Sequence, residues 1–557
     1  MWCWMSPVRI RSLAPFCSFF KLAPFGAFFF CYTAPILGAS RGFQKLPAQR
    51  LKLSLGGAVT VTSNRPSHVL LNSTSARELD KRAIAGGIAG ATLMDAAGKA
   101  VADVLTDYIG TPLEAGASVI VLCGSGNNGG DGFVAARYLE EWGYPVSLRC
   151  SHLPSELKGD AKKAAGKWRG EVEPMSTQGF GNASAIVDCL LGTGLTRGIE
   201  GDLADIVDAM NASETFILSA DLPSGLCANT GRVLGACVEA GATVTFNYKK
   251  PGHTIVPGRY YCGGNSNIHV ADIGLPADAL NGEMPTDYEN VPSLWGQSFP
   301  FTGPQTHKYG RGHMLVLGGK EPTLGASRLA SLAGLRVGAG LVTLAAPTET
   351  YAVQASALMD VMVRRFDSAF GFMGIVNDPR IRSVLVGPGA GRGEKTVDLV
   401  KQVGAKKKSL VLDADALASL VGRVDLIKEL KSPEVVLTPH EGEFEKLFPN
   451  IAFADDRLEA TKQAAKETNA VVVLKGVSTI VAAPDGRASV ATNAPSWLSV
   501  GGTGDVLSGM ICGLITQGMP AFEAASAGVW THGEAGMEAG RGLLASDLLQ
   551  VIPKVLP

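Results

Sequence analysis

The chain is predicted to fold as α/β in two unrelated domains, and three observations predict it. Short apolar runs alternate with helical segments from residue 75 onward. Two glycine-rich loops of different design, Gly124-Ser-Gly-Asn-Asn-Gly-Gly-Asp131 and Gly501-Gly-Thr-Gly-Asp505, each end in an aspartate and lead into a helical segment. The 557 residues are 46% hydrophobic and include 68 Gly, which suits about two or three compact cores joined by tight turns. No internal repeat relates the two halves, so a duplication is not expected.

Residues 1–74 read as a leader. The first 77 residues hold nine Lys/Arg and no Asp or Glu, and they are rich in Phe, Ser and Leu, a composition that suits a mitochondrial or plastid transit sequence. A signal peptide or anchor is a weaker reading. The longest apolar stretch, Leu22 to Ala39, is broken by Pro24, Gly26, Pro35 and Gly38. A third reading is an upstream stretch that is never translated, which leaves the protein cytoplasmic.

From Ser75 the pattern is regular: helices over Arg77–Ala85 and Leu93–Tyr108, then an apolar run Ala117–Cys123 that breaks at the first glycine loop. Further runs follow at Pro145–Cys150, Ala185–Leu191, Phe216–Ala220, Thr243–Asn247 and Asn267–Asp272, which implies a parallel sheet covered on both faces. Residues 276–305, rich in Pro, Asn, Asp and Ser, are expected to be a linker between domains 75–275 and 306–557. A second series of strands is expected at His313–Gly318, Gly340–Ala345, Ser383–Val386, Leu410–Asp413, Val435–Thr438 and Ala470–Leu474. Helices are expected at Ala326–Val337, Asp455–Thr468, Gly504–Ile515 and Ala521–Gly540.

Residues 78–557 carry 41 basic against 51 acidic residues. An acidic body without Lys/Arg runs argues against a nucleic-acid partner. No membrane partner is expected for it either. The ten Cys show no CxxC pair or Cys/His cluster at metal spacing, so a reducing compartment without structural zinc is expected, with Cys123 and Cys189 as core thiols.

The first glycine loop fits a dinucleotide fingerprint, but the acid that holds the ribose is missing where the next strand ends, Leu148-Arg149-Cys150-Ser151. Arg149 is expected as a solvated strand end rather than a 2′-phosphate contact. Asn127, Asn128 and Asp131 instead make the loop itself polar. Two further polar turns close apolar runs, Asp188 to Gly198 and Asp221-Leu-Pro-Ser224-Gly225. Loops after strand C-termini converge on one crevice, so three acid-bearing loops should meet there. The bland reading makes Asp188 and Asp221 helix N-caps.

Together these three loops closely resemble the N-terminal domain of NAD(P)H-hydrate epimerases over about residues 75–275, a Rossmann-like three-layer fold. The resemblance implies that Asn127, Asn128, Gly129, Gly130 and Asp131 bind the hydrated cofactor together with Gly192, Thr193, Gly194, Leu195, Thr196, Arg197 and Gly198. It further implies potassium held by Asn128, Asp188 and Ser224, a set of oxygen ligands that suits a hard cation. Asp221 would contact the hydrated nicotinamide as the acid/base that inverts its C6 carbon.

The second loop places backbone donors, a helix N-terminus and the Asp505 carboxylate at one point, and no Gly-x4-Gly-Lys-Ser/Thr motif is present. Asp505 as a plain cap is the bland alternative. Tyr309-Gly-Arg-Gly-His313, Gly325-Ala326, Gly387-Pro-Gly389, Asp413-Ala-Asp415, Leu437-Thr-Pro-His440-Glu-Gly-Glu443 and Lys475-Gly-Val-Ser-Thr479 occur in that order. With Asp505 they resemble the ADP-dependent NAD(P)H-hydrate dehydratase domain, a ribokinase-like α/β fold. The resemblance implies that Ala326, Gly389, His440 and Asp505 face the hydrate, with Asp505 as base. Lys475, Gly476, Val477, Ser478, Thr479 and Gly504 would hold ADP, or ATP, with Mg²⁺; His440 as a core or capping histidine is the alternative.

The combined expectation is a bifunctional repair enzyme, isomerase and lyase, acting on NADH and NADPH hydrates, and a homo-oligomer. Two rivals remain at this point. One is a ribokinase-like vitamin-precursor kinase, which the Gly-Thr-Gly-Asp loop alone does not exclude. The other makes the first domain a binding scaffold, which has no need of Asn128, Asp131, Asp188, Asp221 and Ser224 together.

Overall fold

A computed structural model describes residues 68–116, 118–276, 279–280 and 285–557. The chain opens on β1 (Val69–Leu70), followed by β2 (Val119–Cys123), β3 (Val146–Cys150), β4 (Val172–Pro174), β5 (Ala185–Cys189), β6 (Ile217–Ala220), β7 (Ala242–Phe246) and β8 (Ile268–Ala271). Strands β2 to β8 form one sheet in the order β4-β3-β2-β5-β6-β7-β8, with every pair parallel. Burial on both faces explains why β2 reads Val-Ile-Val-Leu-Cys without polar alternation. Val119, Val121 and Cys123 pack under the helices Gly90–Ile109 and Asn127–Glu141, while Ile120 and Leu122 meet the helix Asp202–Ala212. The order reverses between β2 and β5, so the loops leaving these strands diverge and open a crevice.

The second sheet contains β9 (Asp287–Glu289), β10 (His313–Leu317), β11 (Leu341–Pro347), β12 (Met362–Phe366), β13 (Ile381–Val386), β14 (Ser409–Leu412), β15 (Val435–Leu437), β16 (Val471–Leu474), β17 (Ile480–Ala482) and β18 (Ala488–Val490). With β1 it has eleven strands, ordered β1-β9-β18-β17-β16-β15-β14-β13-β10-β11-β12. Its β10–β16 portion is parallel, and β17 runs antiparallel to both its neighbours. Helices Leu324–Arg336, Thr503–Thr516, Ala521–Ala539 and Ala545–Val555 cover one face; Glu394–Gly404 and Arg457–Thr468 cover the other. Among the described residues no helix is long and apolar enough to cross a membrane.

Two expected boundaries shift. Val69 and Leu70, placed in the leader 1–74, are buried and pair with Tyr288 and Asp287 of β9, and the Leu71 N–H donates to Lys249 O. The rest of the expected leader, residues 1–67, lies outside the described residues. The expected linker 276–305 supplies β9 and the short helix Pro292–Trp295 to the second domain. Its polar residues are internal partners there: Asn290 Nδ2 donates to Ser526 O at 2.8 Å, and Trp295 Nε1 donates to Asn290 Oδ1 at 3.1 Å. Contacts across the two sheets continue this bond between domains. Lys249 pairs with Glu289 at 2.8 Å, Thr492 Oγ1 donates to Glu289 Oε1 at 2.9 Å, and Arg259 donates to Thr492 O at 2.6 Å.

Candidate functional sites

The first glycine loop connects β2 to the helix Asn127–Glu141 by a path open only to glycine. A Cβ on Gly124 would lie 1.9 Å from Leu190 O, and one on Gly129 would lie 1.9 Å from Gly124 O. This tightness folds the loop against the β5 turn and opens a cavity of about 470 Å³ above the sheet. Asn127, Asn128, Asp131, Gly192, Thr193, Gly194, Leu195 and Asp221 all line it. Gly129 and Gly130 are buried in the first helical turn and serve close packing, Gly130 against Met94. Thr196, Arg197 and Gly198 are exposed and are not among the cavity walls.

Asp221 is no helix cap. Its φ is +63°, a left-handed conformation that costs a non-glycine residue energy and commonly marks function. Its carboxylate accepts from Thr193 N–H at 3.0 Å, from Thr245 Oγ1 at 3.2 Å and from Lys250 Nζ at 2.6 Å. Burial pushes its pKa up, but the Lys250 ammonium outweighs burial and holds it below the ordinary carboxylate value. His253 fixes this turn: Nδ1 accepts from Lys250 N–H at 2.9 Å, leaving Nε2–H to donate to Asp221 O at 2.8 Å. Burial pushes His253 down to about 4, so the ring is neutral. Lys250, Thr245 and His253 escaped sequence reasoning; the available signal was that Lys250-Pro-Gly-His253 follows the end of β7, as the three recognised loops follow β2, β5 and β6.

Asp188 is fully buried beneath the cavity, and it too caps no helix. It accepts from Ser224 Oγ at 2.6 Å, Ser224 N–H at 2.8 Å, Ser219 Oγ at 2.8 Å and Leu190 N–H at 3.2 Å. Ser224 Oγ in turn accepts from Leu191 N–H at 2.9 Å, which holds the Gly192–Leu195 turn in place. Burial raises the Asp188 pKa, with the four hydrogen bonds opposing. A fully buried carboxylate with no cation among its hydrogen-bond partners fits a site for a hard monovalent cation.

Arg149 is neither a solvated strand end nor a phosphate contact. It is 8% exposed, donates to Ser176 O and Gln178 O at 3.2 and 2.8 Å, and lies over the Phe180 ring. Cys123 and Cys189 are fully buried, with burial pushing both thiols far above their ordinary range, so they are core thiols.

In the second domain the scattered sequence stretches form one chain of contacts. Gly387 has φ +138°, and a Cβ there would lie 1.8 Å from Asp413 O, which seats the Gly387–Gly389 turn on the end of β14. Gly389 O accepts from Lys320 N–H at 3.0 Å, placing the turn beside the start of the helix that carries Ala326. Asp415 accepts from Gly391 N–H at 2.9 Å. Asp413 pairs with Lys475 Nζ at 2.9 Å, and a Cβ on Gly504 would lie 3.4 Å from that same nitrogen. Asp505 stands in the first turn of the helix Thr503–Thr516. Burial, reinforced by Asp413 and opposed by Lys475, pushes it up to about 6. A carboxylate poised there is matched to base catalysis near neutral pH.

His440 is a cap: Nδ1 accepts from Glu443 N–H at 3.3 Å while Glu443 accepts from His440 N–H, and its side chain is 62% exposed beside Lys475. Within the expected nucleotide loop, Val477 is 65% exposed, whereas Ser478 is 1% exposed and its hydroxyl accepts from Val256 N–H of the first domain at 2.9 Å. The Ser478 hydroxyl thus serves the domain contact. His532, also missed, lies half-buried by the Thr503 turn with its Nε2 buried and unpartnered and its pKa pushed down to about 4 by desolvation. No three His, Cys, Asp or Glu side chains cluster as metal ligands among the described residues.

Comparison with known proteins matches both halves. Residues 314–555 match the family model for NAD(P)H-hydrate dehydratase, and residues 90–252 match that for the YjeF-related protein N-terminus. The bifunctional NAD(P)H-hydrate repair enzyme of Salinibacter ruber is 35% identical over 510 residues, covering 84% of this chain and 92% of that protein. The Escherichia coli enzyme of the same name is 32% identical over 453 residues, 78% of this chain and 84% of its own length. A solved ADP/ATP-dependent NAD(P)H-hydrate dehydratase from Bacillus subtilis, co-crystallised with ATP/Mg²⁺, is 27% identical with a TM-score of 0.43, covering 48% of this chain and 96% of that one. With this identity along most of both lengths, the chain belongs to the family of bifunctional NAD(P)H-hydrate repair enzymes.

Proposed function

We propose that the first domain interconverts the R and S hydrates of NADH and NADPH and that the second dehydrates the S hydrate at the expense of ADP. The observation that carries this reading is that two separate acidic centres, Asp221 in its cavity and Asp505 at the glycine loop, stand on one chain that spans 92% of a bifunctional relative. The cavity loops bind and orient the hydrate, and Asp221 acts at C6. Asn128, Asp188 and Ser224 would hold potassium, whose positive charge compensates the buried carboxylate.

In the second domain Asp505 takes the proton of the C6 hydroxyl as that oxygen attacks the terminal phosphorus of ADP. The N–H groups of Gly501–Gly504 receive the developing charge. Loss of phosphate, driven by the ring-nitrogen electrons, and of a C5 proton then restores the dihydronicotinamide. Lys475, held on Asp413, places a cation beside the phosphates. Mg²⁺ would neutralise phosphate charge; it keeps most of its waters and needs few protein carboxylates, so the lack of a three-ligand cluster is compatible with it. ATP is the alternative donor. The kinase rival predicts that phosphorylated alcohol accumulates.

A transit role for the leader is part of this reading, with mitochondrion or plastid as destination. Because Val69–Leu70 belongs to the second sheet, cleavage is expected before Val69, which sequencing the mature N-terminus checks. Separation of function tests the whole reading: Asp221→Asn abolishes epimerisation and spares dehydration of pure S hydrate, and Asp505→Asn does the reverse. Loss of both activities in either variant, or of neither, would sink it.

A further inference from the structure

Six charged residues line the first cavity: Arg77, bonded to Ser73 O, and Asp160, paired with Lys163, stand with Asp80 from the helix Ser73–Ala85, Asp131 from the helix Asn127–Glu141, Asp221 after β6 and Lys250 after β7. Their surroundings differ sharply. Asp221 has an ammonium at 2.6 Å and two further donors. Asp131 is 8% exposed, no hydrogen bond to its carboxyl is present among the described residues, and no cation pairs with it. The charges and thiols that act on it are Asp221, Asp80, Cys123 and Cys189.

We propose that Asp131 is a catalytic residue of the epimerase, the proton donor at the C6 oxygen, and that Lys250 is the positioning residue that keeps Asp221 as the opposing carboxylate. Geometry requires such a division: two carboxyls on one cavity, one paired to a buried cation and one left without any partner, cannot titrate together. Burial, with Asp221 and Asp80 adding to it, raises Asp131 well above the ordinary carboxylate range and so favours its protonated form. This rests on the first-domain reading above and assigns the two halves of its chemistry.

The step balances on these groups. Asp131 gives its proton to the C6 hydroxyl; the C6–O bond breaks as the N1 lone pair forms an N1=C6 bond, and water leaves. The planar cation is stabilised by ionised Asp221. Water then adds to the other face of C6, the electron pair returns to N1, and the surplus proton passes to Asp221. Exchange with cavity water restores the neutral Asp131 and the Asp221 carboxylate.

The test follows conversion of R to S hydrate by the full chain. Asp131→Asn keeps shape and polarity but has no proton to give, so kcat should fall by roughly 100-fold or more with KM nearly unchanged. The wild-type profile should fall at high pH as Asp131 ionises, and this limb should be absent from the residual activity of the variant. Lys250→Met should move the acidic limb to higher pH, because Asp221 loses its counter-ion, while Lys250→Arg restores it. Unchanged kcat in Asp131→Asn, a loss confined to KM, or an acidic limb unmoved in Lys250→Met would each overturn the proposal. If Asp221→Asn is inactive in that same series, the first-domain reading survives; if it is fully active, that reading falls as well. Dehydratase activity of each variant reports folding. Should Asp131→Asn fail that control, heavy-oxygen water decides with wild-type protein: solvent oxygen at C6 of the product is expected, and retention of the original oxygen overturns the step.

Discussion

At the residue scale the second site turns on the ionisation of Asp505. With a pKa near 6, its base form is lost as pH falls through that value, so the dehydratase rate should be flat above about 7 and drop tenfold per unit below about 5. A kcat profile on pure S hydrate with saturating ADP checks this, and a limb near the ordinary carboxylate value would separate Asp505 from the rate. Ser478 gives a second prediction. Since its hydroxyl accepts from Val256 N–H, Ser478→Ala should lower the melting temperature by a few degrees and leave the nucleotide KM within about twofold. The reverse pattern would return Ser478 to the nucleotide. The loops that carry these residues were legible because glycine and aspartate at fixed spacing are demanded locally. Lys250 and His253 were not, because nothing near a lone Lys or His in sequence reveals an aspartate 29 or 32 residues away that folding brings to 2.6 and 2.8 Å.

At the scale of elements, buried strands such as β2, β5, β13 and β14 announced themselves as unbroken apolar runs. Strands β1, β4, β9, β12, β17 and β18 did not. They are two to five residues long, and β4 and β12 sit at sheet edges, where exposure removes the apolar signal. The 276–305 segment misled for a related reason: its Asn, Asp and Pro residues look solvated, yet β9 is held between β1 and β18. Small residues in the helix Thr503–Thr516 have a packing role instead. A Cβ on Gly509 would lie 2.2 Å from Ala330 O, so Gly509→Ala must push this helix off Leu324–Arg336. A cost of about 1–3 kcal/mol in thermal unfolding is expected, together with reduced dehydratase activity as the Asp505 turn shifts. Epimerase activity should persist, since Gly509 touches no part of the first cavity.

For the molecule as a whole, the contacts between the two sheets outweigh what a flexible linker would provide. Strand β1 precedes the first domain in sequence yet pairs within the second sheet, and Lys249, Arg259 and Ser478 bridge the domains by charge and hydrogen bonds. One unfolding transition is therefore expected for the body of the chain. The double variant Lys249→Ala, Arg259→Ala should split it into two calorimetric transitions, and an unaltered single transition would assign the coupling to β1 and the remaining bridges such as Ser478.

The central claim is that one chain repairs both hydrate epimers. It is tested by near-ultraviolet absorbance recovery when residues 68–557 meet mixed R and S NADPH hydrates with ADP, with ATP or with neither. Full recovery with a nucleotide, at a rate above spontaneous epimerisation, is the predicted result; recovery of the S fraction alone, or of nothing under any condition, would contradict it.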